Sequence, residues 1–307
     1  MRLLDLRNWL GRNRRGALPA HPDAPLTAPG LLALTAHAPA AAAGPWAPPR
    51  LRLVDALWGE GFLLPGGADE VLRLAVPLGL SAASSLLLLG VGSGGPTLRL
   101  AGDLGVWVRG YESDPALAAV AARRIQRAGV ALAKRATVER WDPERPGFKR
   151  RAFHHALTME ALRTARPEDI IAALAQAVRP GGQIALLETV APTPLDAADP
   201  AVAAWMRQDP GPWPLPDPAC VERALTRLGF EVRVAEDISI RHMRQAVGGW
   251  RRLLRQFGAR PDAAEAAALV AEAELWLRRI RLMRAGRIRM MRWLAMGRGA
   301  AQKPPPR

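Results

Sequence analysis

Cysteine is all but missing: Cys220 stands alone in 307 residues, so no internal disulfide can form, and that suits a reducing compartment. Long apolar runs are missing too; none approaches the roughly 18 residues that would cross a bilayer. The segment Met1–Gly16, MRLLDLRNWLGRNRRG, fails as a secretory signal because Asp5 and Arg7 interrupt its apolar residues. Acid-poor and arginine-rich, it fits an organellar transit peptide or a surface-lying amphipathic helix. Acids are scarce throughout, 28 Asp and Glu against 43 Lys and Arg, for a net charge of +15. That excess fits a patch facing nucleic acid or an anionic membrane, and fits a solvated basic surface equally well; it bears on association, not on fold. There is no internal repeat. No metal site is expected: His154 and His155 are adjacent in a strand-like stretch, point to opposite faces, and have no accompanying ligand cluster.

What is present is globular composition, 49% hydrophobic and 23% charged. Residues 1–50 read as a tether, alanine- and proline-rich over 17–50 without a sustained period, and the folded domain is expected from Leu51. Its organising stretch is LLLLGVGSGGPTLRLAG, Leu86 to Gly102. The four leucines predict a strand buried on both faces of a parallel sheet. Gly90, Gly92, Gly94 and Gly95 allow a tight turn and close approach of a ligand, and Pro96 opens a helix. This is a nucleotide-binding turn of a Rossmann-like sheet, although the spacing fits both G-x-G-x-G and G-x-G-x-x-G. Glu112 ends the next apolar run, about 20 residues after the first glycine, where an acid grips ribose hydroxyls.

From about Trp58 to Met296 the chain resembles the class I S-adenosylmethionine-dependent methyltransferases, with the glycine turn, Glu112, Asp142, the MEAL stretch Met159–Leu162 and the RPGG turn Arg179–Gly182 in family order. The resemblance implies a doubly wound, mostly parallel sheet with an antiparallel last strand over residues 51–298, and a basic, proline-containing tail over 299–307. Two predicted helices, 241–257 and 261–284, form a helical insert spanning 237–286 between strands six and seven, expected to act as a lid over the acceptor pocket. The implied cofactor is S-adenosyl-L-methionine as methyl donor, acting on a small-molecule or lipid-like acceptor in the cytoplasm or at an anionic membrane surface. Two alternatives are a non-catalytic methyltransferase-like scaffold and a nucleic-acid methyltransferase; the latter is supported by charge alone.

The resemblance also implies roles. Asp142 would accept the adenine amino group. Trp58, Glu60 and Phe62 would lie near the methionine end of the cofactor. Ligands of open α/β sheets sit beyond the carboxyl ends of strands, which directs Met159, Glu160 and Glu188 toward cofactor or acceptor. Glu160 is the first candidate for a general base and His242 the second, with Trp250 as a further acceptor contact. One departure stands out: the usual acid two positions before the first glycine is Leu88 here, and Glu60 is the expected substitute. Arg281, Arg284, Arg287, Arg289, Arg292 and Arg298 form a basic cluster with phosphate-binding chemistry.

Overall fold

The four leucines set the centre of the sheet. In the computed structural model, which describes residues 44–209, 214–256 and 261–298, they form strand β1 (Ser85–Leu89). Leu86 to Leu89 have no solvent exposure. Because side chains alternate along a strand, Leu86 and Leu88 enter one apolar cluster and Leu87 and Leu89 the other, so the sheet is buried on both faces. Each leucine removed from water contributes about 1.5–3 kcal/mol. The expected basic segment Met1–Gly16, most of the tether and the tail lie outside the described residues.

Around β1 run β2 (Trp107–Glu112), β3 (Ala136–Arg140), β4 (Phe153–Met159), β5 (Val178–Val190), β6 (Phe230–Asp237) and β7 (Arg289–Gly297). The order is β3-β2-β1-β4-β5-β7-β6. The first five strands pair in parallel, and β7 inserts antiparallel between β5 and β6. This is the doubly wound sheet with an antiparallel last strand that the sequence predicts. Strand β5 is longer than expected: Arg179–Gly182 continues it through a shift in register against β4. Gly182 fits there because a Cβ would sit 2.3 Å from the His154 carbonyl oxygen.

Four helices matter for the site: α1 (Pro48–Trp58), α2 (Gly67–Ala75), α3 (Gly95–Leu104) and α4 (Pro115–Arg127). Helix α1 starts at Pro48, whose missing N–H is no loss in a first turn. Helix α2 gives way at Val76–Leu78 to one 3₁₀ turn carrying Pro77. Helix α5 (Val130–Arg135) leads directly into β3, and α6 (Pro167–Ala177), α7 (Pro200–Met206) and α8 (Pro218–Arg227) follow later in the chain. The insert between β6 and β7 consists of α9 (Ser239–Gln256) and α10 (Ala263–Arg284), the latter opened by a capping box of Asp262 and Glu265. Helix α10 packs against α1 and α7. Of its predicted apolar face, Leu269, Ala273, Ile280 and Met283 are buried, whereas Val270 is 45% exposed.

Candidate active site

A cavity of about 440 Å³ opens beyond the carboxyl ends of the parallel strands. Its floor is the turn after β1. Gly90 has φ +72°, and a Cβ there would sit 2.0 Å from the Met159 carbonyl oxygen, so the strand-to-turn junction tolerates glycine alone. Gly92, φ +57°, also lines the cavity, beneath Leu63. At the tip of β2, Glu112 accepts hydrogen bonds from Gly92 N at 2.8 Å and Asp114 N at 3.1 Å. Burial pushes its carboxyl up to about 7, against the opposing pull of those amides. Trp141, Pro143 and Leu117 add an apolar wall. A buried acid beside a flat apolar wall on a glycine floor suits a nucleoside with free ribose hydroxyls, so this half of the cavity fits S-adenosylmethionine.

Gly94 and Gly95 border the opposite side of the same turn and do not line the cavity. Gly95 N donates to the Gly61 carbonyl at 3.0 Å, and a Cβ on Gly61 would stand 2.5 Å from Gly95 N. The smallness of Gly95 admits the 59–65 strap, whose Phe62, Leu63 and Leu64 line the cavity, while Gly94 packs against Ala121 of α4. The strap is latched by Arg124. Its Nη1 donates to Ser93 O at 3.1 Å and Ser93 Oγ at 2.6 Å, its Nη2 bonds Asp55 Oδ2, and Asp55 Oδ1 accepts from Gly61 N at 2.8 Å.

Several predicted site residues lie elsewhere. The Glu60 side chain is 82% exposed and 3.7 Å from Arg124, turned away from the cavity, so it does not stand in for an acid at Leu88. Asp142 caps its own turn instead of lining the cavity: it accepts from Glu144 N at 3.1 Å and pairs with Arg145 at 3.3 Å. Trp58 is buried behind the wall, edge-on to Trp276 with ring centroids 5.1 Å apart. Trp250 is a core residue at 3% exposure. Glu188 is fully buried beneath the cavity, bonded by Thr158 Oγ1 at 2.6 Å, Leu162 N at 3.1 Å and Ala161 N at 3.3 Å. Burial first, then the Glu160 charge, pushes its carboxyl up to about 8. His242 sits behind Trp276 with ring centroids 5.6 Å apart; burial, with Arg279 and Arg241, pushes its imidazole down to about 3. It lies off the cavity and burial lowers its basicity, which together remove it as a base.

Phe62, Met159 and Glu160 do line the cavity. Glu160 has φ +58°, a left-handed conformation that costs a side-chain-bearing residue free energy and is held by tertiary contacts. Its Oε1 accepts from Thr189 N, and its Oε2 from Arg279 Nη2 at 2.9 Å and Arg163 Nη1 at 3.4 Å. Burial alone would raise its pKa, but the two guanidiniums and Thr189 hold it below the ordinary carboxylate range. A carboxylate so held is a weak proton acceptor, and Glu160 acts as the hub of an ion network.

The rest of that network went unread in the sequence. Arg163 Nη2 reaches Asp209 at 2.7 Å, and Arg279 Nη2 also donates to Thr189 Oγ1 at 2.7 Å. Helix α10 brings Glu272, Leu275, Trp276 and Arg279 to the cavity on one face, with Glu272 bonded by Trp276 Nε1 at 3.0 Å and by Arg50 Nε of α1 at 2.8 Å. Their i, i+3, i+4, i+7 spacing is the available signal, masked because two of the four are charged. Of the basic cluster, Arg287, Arg289 and Arg292 pair with Asp199, Asp237 and Glu236, while Arg281, Arg284 and Arg298 are exposed. His154 ties Ser85 N to Arg179 along the sheet. Among the described residues no three His, Cys, Asp or Glu converge as metal ligands, and no helix is long and apolar enough to cross a membrane.

Residues 87–186 match the family described as "Methyltransferase domain". No curated protein sequence matches the chain. Among solved structures, phosphoethanolamine N-methyltransferase 2 of Haemonchus contortus, in complex with S-adenosyl-L-methionine, is similar with a TM-score of 0.69 at 18% identity, over 81% of this chain and 57% of that one. The chain thus spans little more than half the length of that protein. The [4+2]-cyclase SpnF is similar with a TM-score of 0.62 at 19% identity, over 82% and 94% of the two chains. Geranyl diphosphate C-methyltransferase from Streptomyces coelicolor A3(2), in complex with Mg2+, geranyl diphosphate and S-adenosyl-L-homocysteine, is similar with a TM-score of 0.56 at 14% identity, over 75% and 80%. These likenesses establish the fold.

Proposed function

We propose, from the premise that residues 87–186 are a methyltransferase domain on the S-adenosylmethionine-dependent fold, that this protein transfers a methyl group from S-adenosylmethionine to a small-molecule or lipid-like acceptor enclosed beneath α10 and the 59–65 strap. The observation that carries the reading is Glu112, an acid buried at the β2 tip beside the Gly90–Gly92 floor and the Trp141 wall. When bound, S-adenosylmethionine supplies a methyl group on a sulfonium, ready for in-line displacement. Glu112 would hold the ribose hydroxyls, and Trp141, Pro143 and Leu117 would enclose the base. The chain's remaining task is to place the acceptor and keep water out, and positioning of that kind supplies roughly 7–11 kcal/mol of a barrier. Phe62, Met159 and Trp276 line the space that performs it. Glu160, the candidate base, is tied to Arg163 and Arg279, which suits an acceptor that is nucleophilic without a base.

Titration calorimetry with S-adenosylmethionine and S-adenosylhomocysteine tests the reading: saturable binding that Glu112→Ala weakens at least tenfold supports it, and absence of heat with both nucleotides rejects it. A second reading, cofactor binding without methyl transfer, is favoured by Leu88, which is fully buried in the sheet and leaves no acid in its place. Release of S-adenosylhomocysteine during incubation with a metabolite extract separates the two.

A further inference from the structure

Arg279 holds more hydrogen-bonding capacity than the protein uses. Its side chain is 7% exposed, it lines the cavity, and its guanidinium carbon lies 5.2 Å from the centre of the Trp276 ring. Both of its hydrogen bonds, to Glu160 Oε2 and Thr189 Oγ1, leave from Nη2. Nε is buried without a partner. A guanidinium has five N–H bonds, so two are spent and three, on Nε and Nη1, meet no acceptor among the described residues. A buried donor left unmade costs free energy, and its presence in a native site calls for a partner.

The surroundings define that partner. Arg163, Arg279, Glu160 and Asp209 sum to zero charge, and Arg279 is held in place by Glu160 and Thr189. The cavity that Arg279 lines also carries Phe62, Leu275, Trp276, Met159 and Leu187. The other carboxylate of the α10 face, Glu272, is occupied by Arg50 and the Trp276 indole N–H. An acceptor entering this half therefore meets apolar side chains and the Arg279 guanidinium, whose Nη1 is unspent among the described residues.

We propose that Arg279 is the anchor for an oxyanion on the acceptor, a carboxylate or phosphate carried on an apolar body, and so sets the acceptor class of the cavity. The proposal rests on the methyltransferase reading for its biological meaning, but the anion site stands on this geometry alone.

Four probes sharing one aromatic body, benzoate, phenyl phosphate, benzylamine and benzyl alcohol, are titrated into the full chain with and without saturating S-adenosylhomocysteine, followed by calorimetry and tryptophan fluorescence. The expected result is millimolar binding of benzoate or phenyl phosphate, at least tenfold tighter than benzylamine or benzyl alcohol; comparing the first two separates carboxylate from phosphate. Arg279→Gln should abolish the preference. Because that variant leaves Glu160 with one guanidinium fewer and can fail to fold, Arg279→Lys is made in parallel: it keeps the charge for Glu160 but lacks the forked donors, and should lose the oxyanion preference at least fivefold while S-adenosylhomocysteine affinity stays within twofold. Equal binding of all four probes, tightest binding of benzylamine, no binding of any, or a preference that survives in Arg279→Lys overturns the proposal. Oxyanion binding without nucleotide binding would reject the methyltransferase reading and leave the anion site standing.

Discussion

Arg124 does not line the cavity, yet the geometry makes it a determinant of nucleotide affinity. It joins Asp55 on α1 to Ser93 in the glycine turn, and Asp55 in turn holds Gly61 N. Arg124→Ala removes two hydrogen bonds to Ser93 and the ion pair with Asp55. Hydrogen bonds to charged groups contribute about 1.5–3 kcal/mol when buried. Side-chain exposures of 16% for Arg124 and 23% for Asp55 place their coupling near the lower end, about 1–2 kcal/mol. The strap carries Phe62, Leu63 and Leu64 over the cavity, so loosening it lowers the fraction of binding-competent molecules, and apparent affinity falls in proportion. At 1.4 kcal/mol per decade the effect is bounded at about thirtyfold. The assay is a double-mutant cycle of Asp55→Ala and Arg124→Ala, read by urea unfolding and by S-adenosylhomocysteine calorimetry. Stability coupling above about 0.5 kcal/mol with a three- to tenfold weaker nucleotide is expected. Additive variants would refute the latch, and coupled stability with affinity unchanged within twofold would refute its role in binding.

Three further outcomes follow from the same geometry. Gly90→Ala, which must place a Cβ against the Met159 carbonyl at φ +72°, should cost more than about 2 kcal/mol in urea unfolding; a loss below about 0.5 kcal/mol would mean the junction is not fixed as described. Glu160→Gln should destabilise by about 3 kcal/mol, because Arg163 and Arg279 lose their shared carboxylate; a stable variant that loses turnover alone would restore Glu160 as a base. The Glu188 carboxyl, raised to about 8, binds its proton more tightly in the folded state, so its contribution is complete below the ordinary carboxylate pKa and is lost as pH rises toward 8. Wild type should lose a few kcal/mol at most relative to Glu188→Gln between pH 5 and 8, and a pH-independent difference would show Glu188 to be ionised throughout.

The nucleotide half of the site was legible because its parts are contiguous. An apolar run, a glycine turn and an acid at the end of the next run follow one another in the chain, and strand polarity places all three at one sheet edge. The acceptor half was not. Arg163, Asp209 and the α10 pair Glu272 and Arg279 come from three separate places, and a charged residue on a helix looks solvent-facing until its partner is known. The mistaken residues share one cause. Glu60, Asp142, Trp58 and Glu188 occupy the positions expected in the chain, but the direction of each side chain is decided by a partner: the distant Arg124, Trp276 and Thr158 for Glu60, Trp58 and Glu188, and its own turn with Arg145 for Asp142. Leu88 is fully buried in the apolar cluster on one face of the sheet, an environment that would penalise an acid at that position.

Helix α1, near the beginning of the domain, reaches α10 near its end through Arg50 and Glu272, 222 positions apart. During synthesis the nucleotide floor and Glu112 leave the ribosome early, whereas the wall carrying Trp276 and Arg279 emerges late, ahead of β7. Under the proposed function, a nascent chain would own a place for the methyl donor well before it owned a place for the acceptor.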